Sequence, residues 1–184
     1  MPKGLTRNSS PIQVSSKIQE TAANTFTSVE IDLTLNALDQ EVFVVTQLNI
    51  DLADPDADLI GVGATGVGSS SVTGTLSSTA RTTIGSIADS NVIGQARKSW
   101  EIGLLTGAGG EPALANAVFD REDPLFAPTT EEYIGIIATS NMHLNILGNG
   151  NLTAKGASVR VYGYRAKMDA AGYAALVQSQ VLSA

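Results

Sequence analysis

The sequence predicts an all-β fold: a single jelly roll, an antiparallel sandwich or barrel of about eight strands, with a polar N-terminal arm and a short C-terminal helix. Short segments alternate apolar with polar residues, and breaks rich in Gly, Pro and Asn separate them. No stretch before residue 169 has a helical period. Short strands that follow one another without intervening helices favour a sandwich or jelly roll over an α/β sheet.

The two clearest strands open the fold. Residues 28–37 alternate without a fault, and residues 41–52 place Val42, Val44, Leu48, Ile50 and Leu52 on one face. Only a short turn separates the two segments, so we expect them to pair as an antiparallel hairpin. Further strands are predicted at residues 70–83, 91–105, 133–139, 141–147 and 158–168.

Gly163 predicts a bulge in the last strand. Strict alternation would bury Arg165 and Lys167 on the face that carries Val159 and Val161. A bulge at Gly163 shifts the register by one residue and removes this conflict. The residues facing inward would then be Val159, Val161, Tyr164, Ala166 and Met168. Those facing outward, our candidate interface residues, would be Arg160, Tyr162, Arg165 and Lys167.

A short helix is predicted after this strand. Asp169 can cap the segment AAGYAALVQSQVL, with Met168 before the cap and Tyr173 after it forming a hydrophobic staple. We expect the helix to lie on the barrel or on a neighbouring molecule.

These patterns divide the chain into an arm (1–27), a jelly-roll domain (28–168) and a C-terminal helix and tail (169–184). The arm is polar, contains Pro2 and Pro11, and alternates only weakly at Ile12 and Val14. It is either a segment that ties subunits together or a disordered terminus.

Composition narrows the function classes. The chain has no Cys and one His, which excludes disulfides, thiolate metal sites and His-rich zinc sites. Charged residues make up 16%, against about 25% in an ordinary soluble domain. Ser, Thr, Asn and Gly are abundant instead. Such residues suit faces covered by neighbouring subunits, because they lose little side-chain entropy and have a small desolvation penalty when buried. A secreted or surface-displayed β domain is the alternative.

No signal peptide or membrane-spanning stretch is expected, because the apolar runs are short. We therefore expect a soluble protein.

The net charge of −7 is unevenly distributed. Residues 28–60 carry eight acids and no base, whereas residues 133–184 carry four bases and one acid. Acidic and basic faces could meet across copies of the protein, or the acids could lie in solvated loops. No segment is basic enough to predict nucleic-acid binding.

Two motifs resemble ligand sites. GVGATG at residues 61–66, with Asp89 downstream, matches a dinucleotide fingerprint, but no strand precedes it and no helix follows it, so we interpret it as a loop. The candidate calcium ligands are Asp54, Asp56 and Asp58 of DPDAD, although Leu59 and Thr65 stand where an EF-hand needs Gly and Glu. A solvated acidic turn is the alternative.

Catalytic patterns are weak. His143 is predicted to point outward or into an interface, and no G-x-S-x-G elbow is present. The acids Glu101, Glu111, Glu131 and Glu132 offer no distinctive pair, and with Trp100 as the single Trp a sugar-binding platform is weakened. We expect no enzyme, no catalytic residues, no cofactor and no resident metal. Sequons occur at Asn8 and Asn151.

The layout resembles a viral family. The polar arm, the opening segments SVEIDLTLNA and EVFVVTQLNIDL, the Gly/Ser/Thr-rich middle and the closing SVRVYGYRAKM with its Ala-rich tail are similar to the small single-jelly-roll major capsid proteins of tailless icosahedral viruses of halophilic archaea, which contain an internal membrane. The resemblance implies an upright barrel that pairs with itself and with a larger sister capsid protein over a lipid vesicle. It implies no catalytic residues.

We therefore expect a virion protein, a major capsid subunit that assembles into capsomers of an icosahedral shell. The alternative is a surface-displayed β-sandwich binding module, such as an adhesin or a virion spike domain.

Overall fold

A computed structural model describes the backbone of residues 4–56, 68–106, 112–123 and 133–182, with side chains for residues 4–56, 69–100 and 133–182. Within these ranges the chain forms ten strands, a 3-10 turn (Ala37–Asp39) and one α-helix. The strands are β1 (Leu5–Arg7), β2 (Ile12–Gln19), β3 (Thr27–Asp32), β4 (Glu41–Leu52), β5 (Gly68–Ser77), β6 (Val92–Thr106), β7 (Pro112–Asp123), β8 (Gly135–Ile137), β9 (Asn141–Asn149) and β10 (Gly156–Met168), and the helix is α1 (Ala170–Leu182).

The strands form two five-stranded antiparallel sheets. In sheet I, β1 and β2 pair with one edge of β10, one after the other along its length. The other edge of β10 pairs with β4, and β4 in turn pairs with β8. In sheet II the order is β3, β9, β5, β6, β7. The predicted all-β sandwich of jelly-roll type with a short C-terminal helix is confirmed.

Apolar residues fill two separate layers. The main core lies between the sheets and includes Phe43, Leu48, Leu76, Leu144 and Val161. A second cluster, which we call the helix cluster, contains Leu5, Val42, Val44, Ala138, Tyr164 and Ala166, with side chains of α1 packed against it. Since sheet I is buried on both faces at this end, residues 42–45 form a continuous apolar run, VFVV, rather than an alternating one.

The C-terminal helix begins as predicted. Asp169 Oδ1 accepts a hydrogen bond from the Gly172 amide at 2.7 Å, and the residues flanking this cap, Met168 and Tyr173, both pack on the helix cluster. None of the helices formed by the described residues has the length and apolar character needed to cross a bilayer.

The predicted hairpin of the first two long strands is wrong. β3 pairs with β9 in sheet II, whereas β4 pairs with β10 and β8 in sheet I. The connecting residues cross from one sheet to the other, through Leu33, whose amide donates to Ser140 O at 2.8 Å, and Thr34, which has a φ of 49°. Alternation shows which face of a strand is buried, but it does not show which strand lies beside it. Two strands can face the same core from opposite sheets or lie side by side in one sheet.

The bulge occurs at the predicted position but on the neighbouring strand. Tyr162 is opposite Gln47 and Gly163 is opposite Val45, so the extra residue is Thr46 of β4. The Thr46 hydroxyl donates to the Tyr162 carbonyl at 3.1 Å. The expectation that β10 itself shifts register is therefore wrong: its residues on either side of Gly163 alternate without interruption between the two apolar layers.

Tyr164, Ala166 and Met168 consequently face the helix cluster instead of joining Val159 and Val161 in the main core. The same bulge corrects the face predicted for β4. Val42 and Val44 lie in the helix cluster, while the main core receives Leu48, Ile50 and Leu52.

Two edge regions were not predicted as strands. Within residues 1–27, β1 and β2 lie antiparallel to β10, with Leu5 opposite Met168 and Ile12 opposite Gly163. At the far edge of sheet II, β7 pairs with β6.

Candidate functional site

An open groove of about 580 Å³ runs along β10 on the outer face of sheet I, the face turned away from sheet II. A second depression of about 480 Å³ shares Lys17, Asp51 and Ser158 with it and continues to Gly156. The small residues Gly156 and Ser158 form the floor. Residues of β2, among them Ser15 and Lys17, line one side, and residues of β4, among them Asn49 and Asp51, line the other.

The register fixes which side chains line the groove. Ser158 lies opposite Lys17 on β2 and Asp51 on β4, and the next outward residue of β10, Arg160, lies opposite Ser15 and Asn49. Tyr162 then lies between Gln13 and Gln47. The residues between these positions point into the main core, so the strands cannot rotate without exposing apolar side chains.

Three charges lie in the groove: Lys17, Arg160 and Asp51, all with exposed side chains. None of them forms an ion pair or a side-chain hydrogen bond with another described residue. Lys17 and Arg160 are diagonal neighbours on adjacent strands, a relationship that places two residues about 7–8 Å apart. Asp51 is the corresponding diagonal neighbour of Arg160 on β4, so the groove presents Arg160 between one cation and one carboxylate.

The four candidate interface residues do not share one face. Arg160 lines the groove and Tyr162 is the next outward residue on the same face, whereas Arg165 and Lys167 project from the other side of β10, at the end of the sandwich. Arg165 connects β10 to the segment that follows β3, since its Nη2 donates to Leu33 O and Thr34 Oγ1, both at 2.9 Å. Lys167 is exposed.

Sequence reasoning missed the other half of this groove. Ser15 and Lys17 lie on β2, within the predicted arm, and Asn49, an outward residue of β4, was not singled out. Alternation of Ile12, Val14 and Ile18 was the available signal for β2, but Ser16 interrupts it on the inward face.

Two of the candidate calcium ligands form ion pairs. Asp56 Oδ1 contacts Lys155 Nζ at 2.5 Å, and its Oδ2 accepts from the amides of Leu152 and Thr153 at 2.9 and 3.0 Å. The Lys155 contact, together with these bonds and against the effect of burial, lowers the pKa of Asp56 to about 2. Asp54, which is 79% exposed, pairs with Lys98 at 3.2 Å.

Asp58 lies outside the described residues, as do residues 61–66 of the GVGATG motif. Among the described side chains, no three His, Cys, Asp or Glu residues are grouped so that they could hold a metal ion.

A buried polar network near Asp56 was also missed. Asn151 is 4% exposed, and its Nδ2 donates to Ser71 O at 2.8 Å while its Oδ1 accepts from the Asp56 amide at 3.0 Å. Glu20, equally buried, accepts from the amides of Gly148 and Lys155. The sequon at Asn151 is thus occupied by structural hydrogen bonds, whereas Asn8 is exposed and donates to Glu41 at 2.9 Å.

His143 lies on the outer side of sheet II, between Glu30 of β3 and Ser77 of β5. Its side chain is buried, and this burial lowers its pKa while the charge of Glu30 acts in the opposite direction. The Ser77 hydroxyl donates to Thr79 O at 2.8 Å and accepts from Asn145 at 3.0 Å. These bonds direct the Ser77 hydroxyl away from the imidazole, so Glu30, His143 and Ser77 are not arranged as a proton relay.

Other residues considered for catalysis or binding lie apart from the groove. Asp89 is paired with Arg81 at 2.8 Å within the loop 78–91, and Trp100 is half-buried on β6. The side chains of Glu101, Glu111, Glu131 and Glu132 are outside the described set. No protein-family model matches the chain, and no curated protein matches its sequence.

Proposed function

We propose that the chain is a structural subunit, a major capsid protein that assembles with copies of itself and with a larger capsid protein into the capsomers of an icosahedral shell. The observation that carries the proposal is the outer face of sheet I. Outside the helix cluster, this face has neutral polar side chains and three charges, all on strands with fixed register. A neighbouring subunit could cover such a face at little desolvation cost, because few charges would lose water.

The rigidity of the sandwich supports a repeated building block. Along the groove, β10 is paired on both sides, with β2 and with β4. One end of the sandwich is held by Arg165, and the other by the network around Asn151 and Glu20. Surfaces fixed in this way can contact neighbours without first becoming ordered, which reduces the entropic cost of association.

The resemblance to the small jelly-roll capsid proteins supplies the specific assignment. It implies a location in the virion, with a larger capsid protein as partner and an internal membrane surface nearby. It gives no role in recognising a nucleic-acid sequence.

Light scattering coupled to size-exclusion chromatography tests assembly. We expect purified protein to form discrete oligomers that grow with protein concentration, and negative-stain images of particles from the natural source to show the chain in a regular shell. A strict monomer at high concentration, in both low and molar salt, would contradict the proposal.

A binding module is the second candidate, because the same groove is open and its side chains Lys17, Asn49, Asp51 and Arg160 form no ion pair or side-chain hydrogen bond with other described residues. A screen of oligosaccharides, with and without calcium, tests it. Saturable binding that Arg160→Ala abolishes, in a protein that remains monomeric, would favour the binding module over the capsid subunit.

A further inference from the structure

We propose that the groove of sheet I receives strand β3 of a second copy of the chain, with Lys17 and Arg160 facing Glu30 and Asp32. The inference rests on the proposed function, since it names the surfaces through which copies would join. Charge complementarity between two surfaces of the same molecule carries it.

The receiving surface is cationic on one side. Lys17 and Arg160 are exposed, lie on adjacent strands and have no ion-pair partner among the described residues. Asp51 of β4 is opposite Ser158, so it is a diagonal neighbour of Arg160 just as Lys17 is on β2. The groove carries two cations and one carboxylate, and an acidic partner would be drawn towards Lys17 and away from Asp51.

The inserted surface is acidic and lies at a sheet edge. β3 is the terminal strand of sheet II, and its outward side chains Ser28, Glu30 and Asp32 are exposed. Glu30 Oε1 accepts from Asn141 and Asp32 Oδ1 accepts from the Thr34 amide, both at 2.6 Å. These bonds orient both carboxylates, and within the described residues the second oxygen of each accepts no hydrogen bond.

The spacings of the two charge pairs agree. Glu30 and Asp32 are two residues apart on one strand, which separates them by about 6.6–6.8 Å. Lys17 and Arg160 are separated by about 7–8 Å as diagonal neighbours. Two acids could thus meet two cations at the same time, and a paired contact specifies register better than a single ion pair.

The contact would be between unlike surfaces. The groove belongs to sheet I and the acidic strand to sheet II, so each copy can receive one neighbour and insert into another. Such heterologous contacts generate rings or extended arrays instead of isolated dimers, as a shell requires.

Charge reversal tests the contact. We expect K17E/R160E and E30K/D32K each to raise the protein concentration needed for assembly by about tenfold or more, because each variant opposes like charges. An equimolar mixture of the two variants should recover assembly, since the acidic groove of one then faces the basic strand of the other. Sedimentation velocity at fixed ionic strength measures both effects, and circular dichroism checks folding.

Arg97→Glu is the matched control for Arg160→Glu. Arg97 is also exposed, but it lies on β6, three strands away from β3 and outside the groove. Assembly should weaken with R160E and remain unchanged with R97E. If the groove variant assembles like wild type, the inference is overturned while the structural role stands.

If both double variants fail to assemble and their mixture fails as well, the groove binds something other than β3, and the inference is again overturned. A wild-type chain that never assembles overturns both the inference and the proposed function.

Discussion

The side chain of Gln180 is hydrogen-bonded to the backbone of Ala138. Gln180 Oε1 accepts from the Ala138 amide at 3.1 Å, and Nε2 of the same side chain donates to Ile136 O at 2.8 Å. These two backbone groups lie on the edge of β8 that faces away from β4. The carboxamide thus takes the place of a peptide group on an additional strand, and α1 protects the edge of sheet I from pairing with another chain.

Replacing Gln180 with Ala should destabilise the protein by about 1–3 kcal/mol, because two backbone groups at a largely buried edge lose their partners. Urea unfolding measures the change. Gln178→Ala is the matched control, since Gln178 is exposed on the same helix, and its effect should stay within about 0.5 kcal/mol. Equal losses for the two variants would show that the Gln180 bonds do not stabilise the edge.

Gly163 should tolerate no larger residue. A Cβ at this position would overlap the Val44 carbonyl oxygen and approach Phe43 Cζ to 2.7 Å, at the point where Thr46 bulges from β4. We expect G163A to cost about 1–3 kcal/mol through overpacking. In G156A, on the same strand, the nearest atom to the new Cβ would be Ile18 O at 3.4 Å, so that variant should unfold at nearly the wild-type urea concentration.

The sequence predicted the strands whose two faces differ in polarity. Residues 27–32 and 48–52 alternate because one side of each faces the core and the other faces outward, and there the buried face was predicted correctly. In VFVV the sequence could not show which residues face which layer, because α1 buries the second face of sheet I and all four residues are apolar. The polarity conflict in β10 located the bulge, but not the strand that carries it.

Pairing partners and the groove were harder to predict. Which strands meet across a sandwich depends on long-range contacts, and residues 33–40 give no local sign that they cross between the sheets. The groove needs β2, β4 and β10 side by side, so its opposite walls come from positions more than thirty residues apart in sequence. The sequence predicted that Arg160 and Tyr162 face outward. Their neighbours on β2 and β4 can be identified only from the register in which these strands pair with β10.

The single His provides a direct probe of the charge on β3. Burial holds the pKa of His143 below its ordinary value of 6.5, and the opposing influence of Glu30 limits the decrease. We expect Glu30→Gln to lower the pKa further, as measured by NMR titration of the imidazole in dilute protein. Asp32→Asn, which neutralises the other outward acid of β3, should change it less. A pKa that rises in E30Q would contradict the assignment.

The same pKa has a consequence for stability. Because the folded state binds the proton less readily than the unfolded chain, His143 makes the free energy of unfolding decrease as the pH falls below 6.5. His143→Gln should remove this part of the pH dependence. A wild-type protein and an H143Q variant with parallel stability curves between about pH 7 and pH 5 would argue against a buried, neutral imidazole.

Asp56 should govern stability in acid. Its pKa of about 2, held down chiefly by Lys155, is below the 3.8 of the unfolded chain, so its contribution is complete above pH 3.8 and is lost as the pH falls towards 2. Asp56→Asn should cost about 1–3 kcal/mol at neutral pH, because the largely buried Lys155 loses a charged partner.

The pH dependence separates this ion pair from a general effect of the substitution. The difference in unfolding free energy between wild type and D56N should be constant above about pH 4 and shrink towards pH 2, as Asp56 of the wild type becomes protonated. Asp54→Asn is the matched control. Its Lys98 pair is largely exposed on the Asp54 side, so that variant should lose less than about 0.5 kcal/mol. A D56N deficit that persists unchanged at pH 2 would mean that packing, and not the charge of Asp56, holds this end of the sandwich together.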